Sequence, residues 1–328
     1  MADLGTTYMG IGLASPIVVA ACPVSNSIDR VRMAEQAGAG ALVIRSLFEE
    51  QIQFDALRLE ERLAGGAESS AEAVSSFPSL RHGEAKEHLM WVEKTRAAVR
   101  MPLIASLNAA SPGSWARFAR DLAGTGVDGI ELNVYTVAAD PTRDGSSLEK
   151  ELIEIIQAVR AEVQLPLAVK LSPYYTSVSH LAQSLDRTGI QALVLFNRFL
   201  QPTLDPVTQT TDTEMPLSTP GEIRLPLRWI ALLYGRVQAE LALSTGVHSG
   251  LDAARGILAG AQVVQTASAL LLQGIPFLSM MLRELEGWMG EKGYERLDDF
   301  RGRLSQKESL DPFSYERAQY VRLLMSQK

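Results

Sequence analysis

"ELALSTGVHSGLDAARGILAGAQVVQTA", residues 240–267, contains two short apolar runs with a helix-period segment between them. "ELALST" (240–245) and "QVVQTA" (262–267) have strand length, and 250–259 reads as an amphipathic helix. Strand, helix and strand joined by short turns describe two parallel strands with the connecting helix on the outside. The unit recurs along the chain. Further runs are "PIVVAA" (16–21), "ALVIRS" (41–46), "LIASLN" (103–108), "GIELNV" (129–134), "LAVKLS" (167–172) and "ALVLFN" (192–197). Helical patterns occupy 28–37, 84–99, 112–124, 146–163, 176–188, 226–235 and 274–290. Pro102 and Pro166 precede the third and fifth strands, where they stop a helix without breaking a sheet. Eight strands alternating with eight helices predict an α/β fold, a (β/α)8 TIM barrel, as a single domain over 1–328.

Two insertions interrupt the alternation, 47–82 after strand two and 198–225 after strand six, and a tail with a helical end covers 291–328. Both insertions leave the C-terminal ends of strands, the face that carries active sites in this architecture, so both are lid candidates. The tail is expected to pack on the barrel or on a partner subunit. "GTGVDG" (124–129) matches a dinucleotide-binding pattern literally. It closes a helix and enters a strand, the reverse of the required context, so it reads as a helix-ending turn.

Composition bounds the function. The 328 residues are 46% hydrophobic with a net charge of −7, which argues against a general nucleic-acid binder. No apolar run of about 18 residues predicts a membrane span, and the acidic start does not read as a signal peptide. Cys22 is the only cysteine, and His82, His88, His180 and His248 show no ligand spacing. The expectation is a reducing, cytoplasmic protein without a metal centre.

Strand periodicity places Arg45, Asn108, Asn133, Lys170 with Ser172, and Asn197 at the inward mouths of five strands. Buried polar groups need partners, and five converging on one rim predict a polar ligand site. Lys170 in "LAVKLSP" needs a negative partner: a substrate carboxylate, a phosphate, a reduced flavin ring, or Glu131 as an internal ion pair. It could alternatively be a Schiff-base amine. "STGVHSG" (244–250) and "TASALL" (266–271) put small residues at the last two turns, so the N–H groups of Gly246, Val247, Ala267 and Ser268 are the expected phosphate donors.

"MGIGLASPIVVAA" (9–21), "ELNV" (131–134), "VKLSP" (169–173), the Asn197 strand end, the 244–270 stretch and "RLDDFRG" (296–302) together resemble the dihydroorotate dehydrogenase family, in order, over nearly the whole chain. The resemblance implies FMN, with its ring over the strand mouths and its phosphate at the last two turns. It implies that Asn108, Asn133 and Lys170 meet the flavin or the substrate edge, with Lys170 stabilising charge near N1 and O2. Asn197, Asn133 and Arg45 would hold substrate, Ala20 and Ala21 would pass under the flavin, and Arg45 stands where the family has a flavin-proximal lysine. The reaction implied is oxidation of a small CH–CH substrate, dihydroorotate or a relative, by hydride transfer to flavin N5, a step of pyrimidine biosynthesis.

The departures fall on substrate features. After Asn133 come Val134, Tyr135, Thr136, Val137 and Ala138 in place of the family's Ser, Cys or Ser base, and Pro-Asn pair. Thr136 stands at the base position and could act only by relaying a proton, and Tyr135 is its competitor. "SSFPSLRHG" offers no convincing counterpart to the family's substrate-binding asparagine segment. Two rival readings are kept: a phosphate-binding lyase or aldolase using Lys170, and a flavin-binding protein with degraded catalysis. Expected partners are a small-molecule substrate, a homodimer mate as in comparable barrels, and an electron acceptor or acceptor subunit that the sequence does not identify. Neither nucleic acid nor membrane is expected.

Overall fold

The computed structural model describes residues 2–48, 83–109, 111–199, 201–212 and 216–326. Eight parallel strands close into a barrel: β1 (Ile17–Val19), β2 (Ala41–Phe48), β3 (Leu103–Asn108), β4 (Gly129–Asn133), β5 (Leu167–Leu171), β6 (Ala192–Leu195), β7 (Glu240–Ser244) and β8 (Val263–Thr266). Neighbours in sequence are neighbours in the sheet, and β8 pairs with β1 to complete the ring. This is the (β/α)8 fold that the repeating strand–helix unit predicts. The helices around it are α1 (Ile28–Gln36), α2 (Gly83–Ala98), α3 (Pro112–Ala123), α4 (Gly145–Glu162), α5 (Val178–Asp186), α6 (Arg224–Leu233) and α7 (Gly250–Ala259). After β8 the chain forms a short α8 (Ser268–Gln273) and then the long α9 (Phe277–Lys292). The insertion 47–82 lies almost entirely outside the described residues.

Alternation along the strands divides the apolar side chains into two cores. Ile17, Val19, Leu42, Ile44, Leu103 and Leu107 face outward and pack beneath the helices. Val18, Ala41, Val43, Ile104, Ala168 and Val263 face the lumen. Alanines at 41, 168, 192 and 242 leave the lumen wide at its base, and Tyr8 and Met9 fill that space.

These two side chains come from a hairpin that sequence reading does not resolve. Thr6–Tyr8 pairs antiparallel with Ile11–Leu13 through a turn in which Met9 and Gly10 have φ of 57° and 76°. Two positive φ values suit a two-residue turn whose twist matches that of its strands. Methionine seldom adopts that conformation, so the turn has no signature. Met9 N–H donates to Glu240 at the start of β7, which ties the hairpin under the barrel. Gly129 opens β4 without a side chain; a Cβ there would lie 3.0 Å from Met9 Cε.

The segment after β6 carries an outer hairpin, Thr203–Asp205 with Thr210–Asp212, and then a 3-10 turn, Pro220–Ile223, closed by a Thr219–Glu222 capping box. The tail packs against the barrel floor. Phe300 stacks with Tyr294 at 5.1 Å, and Arg301 donates to the carbonyls of Ala261 and Gln262. A last helix, α10, covers Arg317–Ser326. "GTGVDG" is a helix-ending turn: Gly124 caps α3 and Gly129 begins β4.

Candidate functional site at the barrel mouth

Above the apolar lumen the inward side chains become polar. Glu131 on β4 is 1% exposed, and its Oε2 accepts a hydrogen bond from Gln265 Nε2 on β8 at 2.7 Å. Lys170 on β5 places Nζ 3.6 Å from Glu131 Oε1 and 3.4 Å from Gln265 Oε1. The internal partner considered for Lys170 is therefore present. Ser46 and Ser106 hydrogen-bond at 2.7 Å on the β2–β3 side. Nearer the opening, Asn197 Nδ2 donates to Asn133 Oδ1 at 2.8 Å, and Asn108 is buried at the end of β3.

Lys170 also lines a cavity of about 210 Å³ that runs to the last two turns. Ala20 and Ala21 form one wall, and Gly246, Val247, Ala267 and Ser268 close the far end. The two turns are fastened to each other, since Thr266 Oγ1 donates to the carbonyl of Val247 at 2.9 Å. The segment after β6 is fastened to both. Ser218 N–H donates to Ser268 Oγ at 2.9 Å, and Ser218 Oγ lies 3.2 Å from His248 Nε2. Gly246 has φ of 76°, and a Cβ there would lie 2.3 Å from Ile223 N, so this turn can press against the 3-10 segment only as glycine. Among the described residues, no protein acceptor is found for the N–H groups of Gly246, Val247, Ala267 and Ser268. Four such backbone donors lining one cavity, two of them at the start of a helix, could hold a phosphate. With the Lys170 cation and the small Ala20 and Ala21 in the same lining, these residues could hold FMN.

Other expected site residues are placed elsewhere. Arg45 is exposed rather than inward. The β2–β3 register shifts between Ile44 and Leu47, where a β-bulge sets an extra residue against Ser106. The bulge reverses the alternation, so Ser46 takes the inward place and Arg45 turns out. Tyr135 and Thr136 line a second chamber of about 240 Å³, with Trp115, Arg143, Tyr174 and Tyr175. Thr136 is exposed there. Tyr135 lies 5.5 Å from Phe199 between ring centroids, and Phe199 meets Tyr174 edge-on at 4.9 Å. Burial, with Glu149 adding to it, pushes the Tyr175 phenol up to about 12. Asn197 of the amide pair lines the first cavity, and Val134, next to Asn133, lines the second.

Sequence reading missed Gln265, Ser218 and Thr266. Gln265 was accessible, since it has the parity of Val263 and so faces the lumen. Ser218 was not, because its place depends on how the segment after β6 folds back.

Among the described residues, no helix is long and apolar enough to cross a membrane, and no cluster of three or more His, Cys, Asp or Glu could hold a metal ion. A family model described as dihydroorotate dehydrogenase matches residues 3–289. The catalytic subunit of dihydroorotate dehydrogenase B (NAD(+)) of Methanothermobacter thermautotrophicus is 26% identical over 91% of this chain and 97% of its own length. A putative dihydroorotate dehydrogenase A (fumarate) of Aeropyrum pernix is 24% identical, covering 92% and 97%. The chloroplastic dihydropyrimidine dehydrogenase (NADP(+)) of Arabidopsis thaliana is 23% identical, covering 92% and 76%. The closed barrel thus coincides with a match over most of the chain, and the chain belongs to the dihydroorotate dehydrogenase family of oxidoreductases.

Proposed function

We propose that this chain is an FMN-dependent oxidoreductase that oxidises a small CH–CH substrate, dihydroorotate or a close relative. The observation that carries the reading is the single cavity joining Lys170 to the four free N–H groups of Gly246, Val247, Ala267 and Ser268. When bound, FMN supplies the hydride acceptor. Lys170 holds positive charge where the reduced ring gathers negative charge. The Asn133–Asn197 pair presents amide donors and acceptors that orient a substrate carrying carbonyl or N–H groups, and Asn108 adds another. Ala20 and Ala21 allow a planar ring to approach the strand ends.

Thr136 and Tyr135 line the second chamber. Removal of a substrate proton by Thr136 would pass through its hydroxyl to solvent, which its exposure permits. The aldolase reading is disfavoured by the Lys170–Glu131 pair, because an ion-paired ammonium has no lone pair for attack on a carbonyl. The relatives' names mention NAD(+), NADP(+) and fumarate; for this chain we infer a soluble acceptor, reached directly or through a partner subunit.

Purified protein should be yellow and release FMN on acid precipitation; colourless protein that reconstitution leaves unchanged would refute the reading. Anaerobic dihydroorotate should bleach the flavin. Bleaching by other dihydropyrimidines but not by dihydroorotate would leave the oxidoreductase and remove that substrate. Thr136→Ala should slow bleaching at least tenfold, an effect in the range of general acid–base catalysis; an unchanged rate would pass the same test to Tyr135.

A further inference from the structure

We propose that Glu131, held by Gln265, is a positioning residue that sets how much positive charge Lys170 presents to the cavity; this rests on the FMN reading above. The two contacts of the ammonium, 3.6 Å to Glu131 Oε1 and 3.4 Å to Gln265 Oε1, are both long. A committed charge-assisted hydrogen bond of this kind measures about 2.7–2.9 Å. The carboxylate, by contrast, is fixed by Gln265 Nε2 at 2.7 Å. Among the described residues its Oε1 has no hydrogen-bond partner, and Lys170 is the cation beside it. So the carboxylate is anchored and the ammonium is loosely engaged.

Register sets the order of these groups along the barrel. Lys170 pairs with Asn133 across β4 and β5, while Glu131 pairs with Ala168, one inward layer deeper. Lys170 lines the cavity and Glu131 does not. The carboxylate therefore stands behind the ammonium as seen from the cavity, and it repels any anion that the ammonium attracts. An anion beyond Lys170 lies on the order of 7 Å from Glu131, and at an effective dielectric of about 20 the repulsion weakens its binding roughly tenfold to a hundredfold. The charge response of the site is thus set by three residues, Lys170, Glu131 and Gln265. Glu131 holds down the reduction potential of a flavin bound there.

The test uses the FMN-loaded chain and sulfite, an anion that adds to flavin N5 and leaves the ring negatively charged. The sulfite dissociation constant and the flavin midpoint potential are read by absorbance. Glu131→Gln should bind sulfite at least tenfold more tightly and shift the midpoint positive. Gln265→Met should do the opposite, because Glu131 loses its anchor and turns to Lys170 as its remaining partner. A loosened fold would not move the two variants in opposite directions. Unchanged sulfite binding in both would overturn the proposal. If Glu131→Gln does not fold, Gln265→Met decides alone, and an unchanged or tighter constant overturns it. A wild-type chain that takes up no FMN ends the FMN reading and this inference with it, whereas FMN-loaded protein with indifferent variants ends only this inference.

Discussion

Deleting the charge of Lys170 probes the polar layer of the barrel most directly. Lys170→Met keeps the aliphatic stem and leaves Glu131, 1% exposed, with Gln265 Nε2 as its only hydrogen bond among the described residues. Removing one partner of a buried ion pair costs about 3–5 kcal/mol, because the remaining charge is uncompensated. At about 2–4 °C per kcal/mol for a domain of this order, the melting temperature of the flavin-free protein should fall by roughly 6–20 °C. The double variant Lys170→Met, Glu131→Gln removes both charges and should recover most of the loss. Glu131→Gln alone should cost less than Lys170→Met, because the ammonium opens onto the cavity and the carboxylate does not. Urea denaturation of the four proteins, with flavin removed so that binding does not add to stability, gives the cycle. The expected coupling is about 2 kcal/mol or more. A double variant whose loss equals the sum of the two single losses would refute the ion-pair argument.

Three further outcomes follow from the geometry. Gly246→Ala forces φ of 76° on an alanine and drives its Cβ into the backbone at Ile223; a left-handed residue costs roughly 1–2 kcal/mol before any displacement. FMN affinity, followed by quenching of flavin fluorescence, should drop at least tenfold, and unchanged affinity would remove these N–H groups from the cradle. Tyr8→Phe removes a buried hydroxyl that has no hydrogen-bond partner among the described residues and should raise stability by about 1 kcal/mol; a lower melting temperature would reveal a hidden partner such as an ordered water. Burial, with Arg45 adding to it, pushes the His88 imidazole down to about 4. Its folded value lies below the unfolded one of about 6.5, so the unfolded chain binds more protons between them. This stability contribution is present above about pH 6.5 and is lost as the pH falls towards about 4, by at most about 3 kcal/mol. His88→Gln should flatten that limb of the stability profile, and superimposable limbs would exclude His88 as its source.

The barrel was legible in the sequence because burial on both faces makes parallel strands short and apolar, and the helices between them keep their own period. The strand "GIELNV" shows how far such reading extends. Its parity places Gly129, Glu131 and Asn133 on the lumen side, as the contacts of Met9, Gln265 and Asn197 with them confirm. Parity failed at Arg45, because one extra residue in β2 reverses every side chain beyond it and a bulge leaves no mark in "ALVIRS". It also could not follow Tyr135 and Thr136, since β4 ends at Asn133 and strand geometry ends with it.

By itself, then, the sequence determined the number and order of strands, the polar character of their mouths and the small residues of the last two turns. These are consequences of local period and composition, which any segment carries with it. Tertiary structure alone decided that Tyr8 and Met9 plug the lumen, that Glu131 pairs with Lys170, that Ser218 joins the last turn, and that the tyrosine–threonine pair occupies a separate chamber. Each of these depends on distances between residues far apart in the chain, and those distances exist only once the ring has closed.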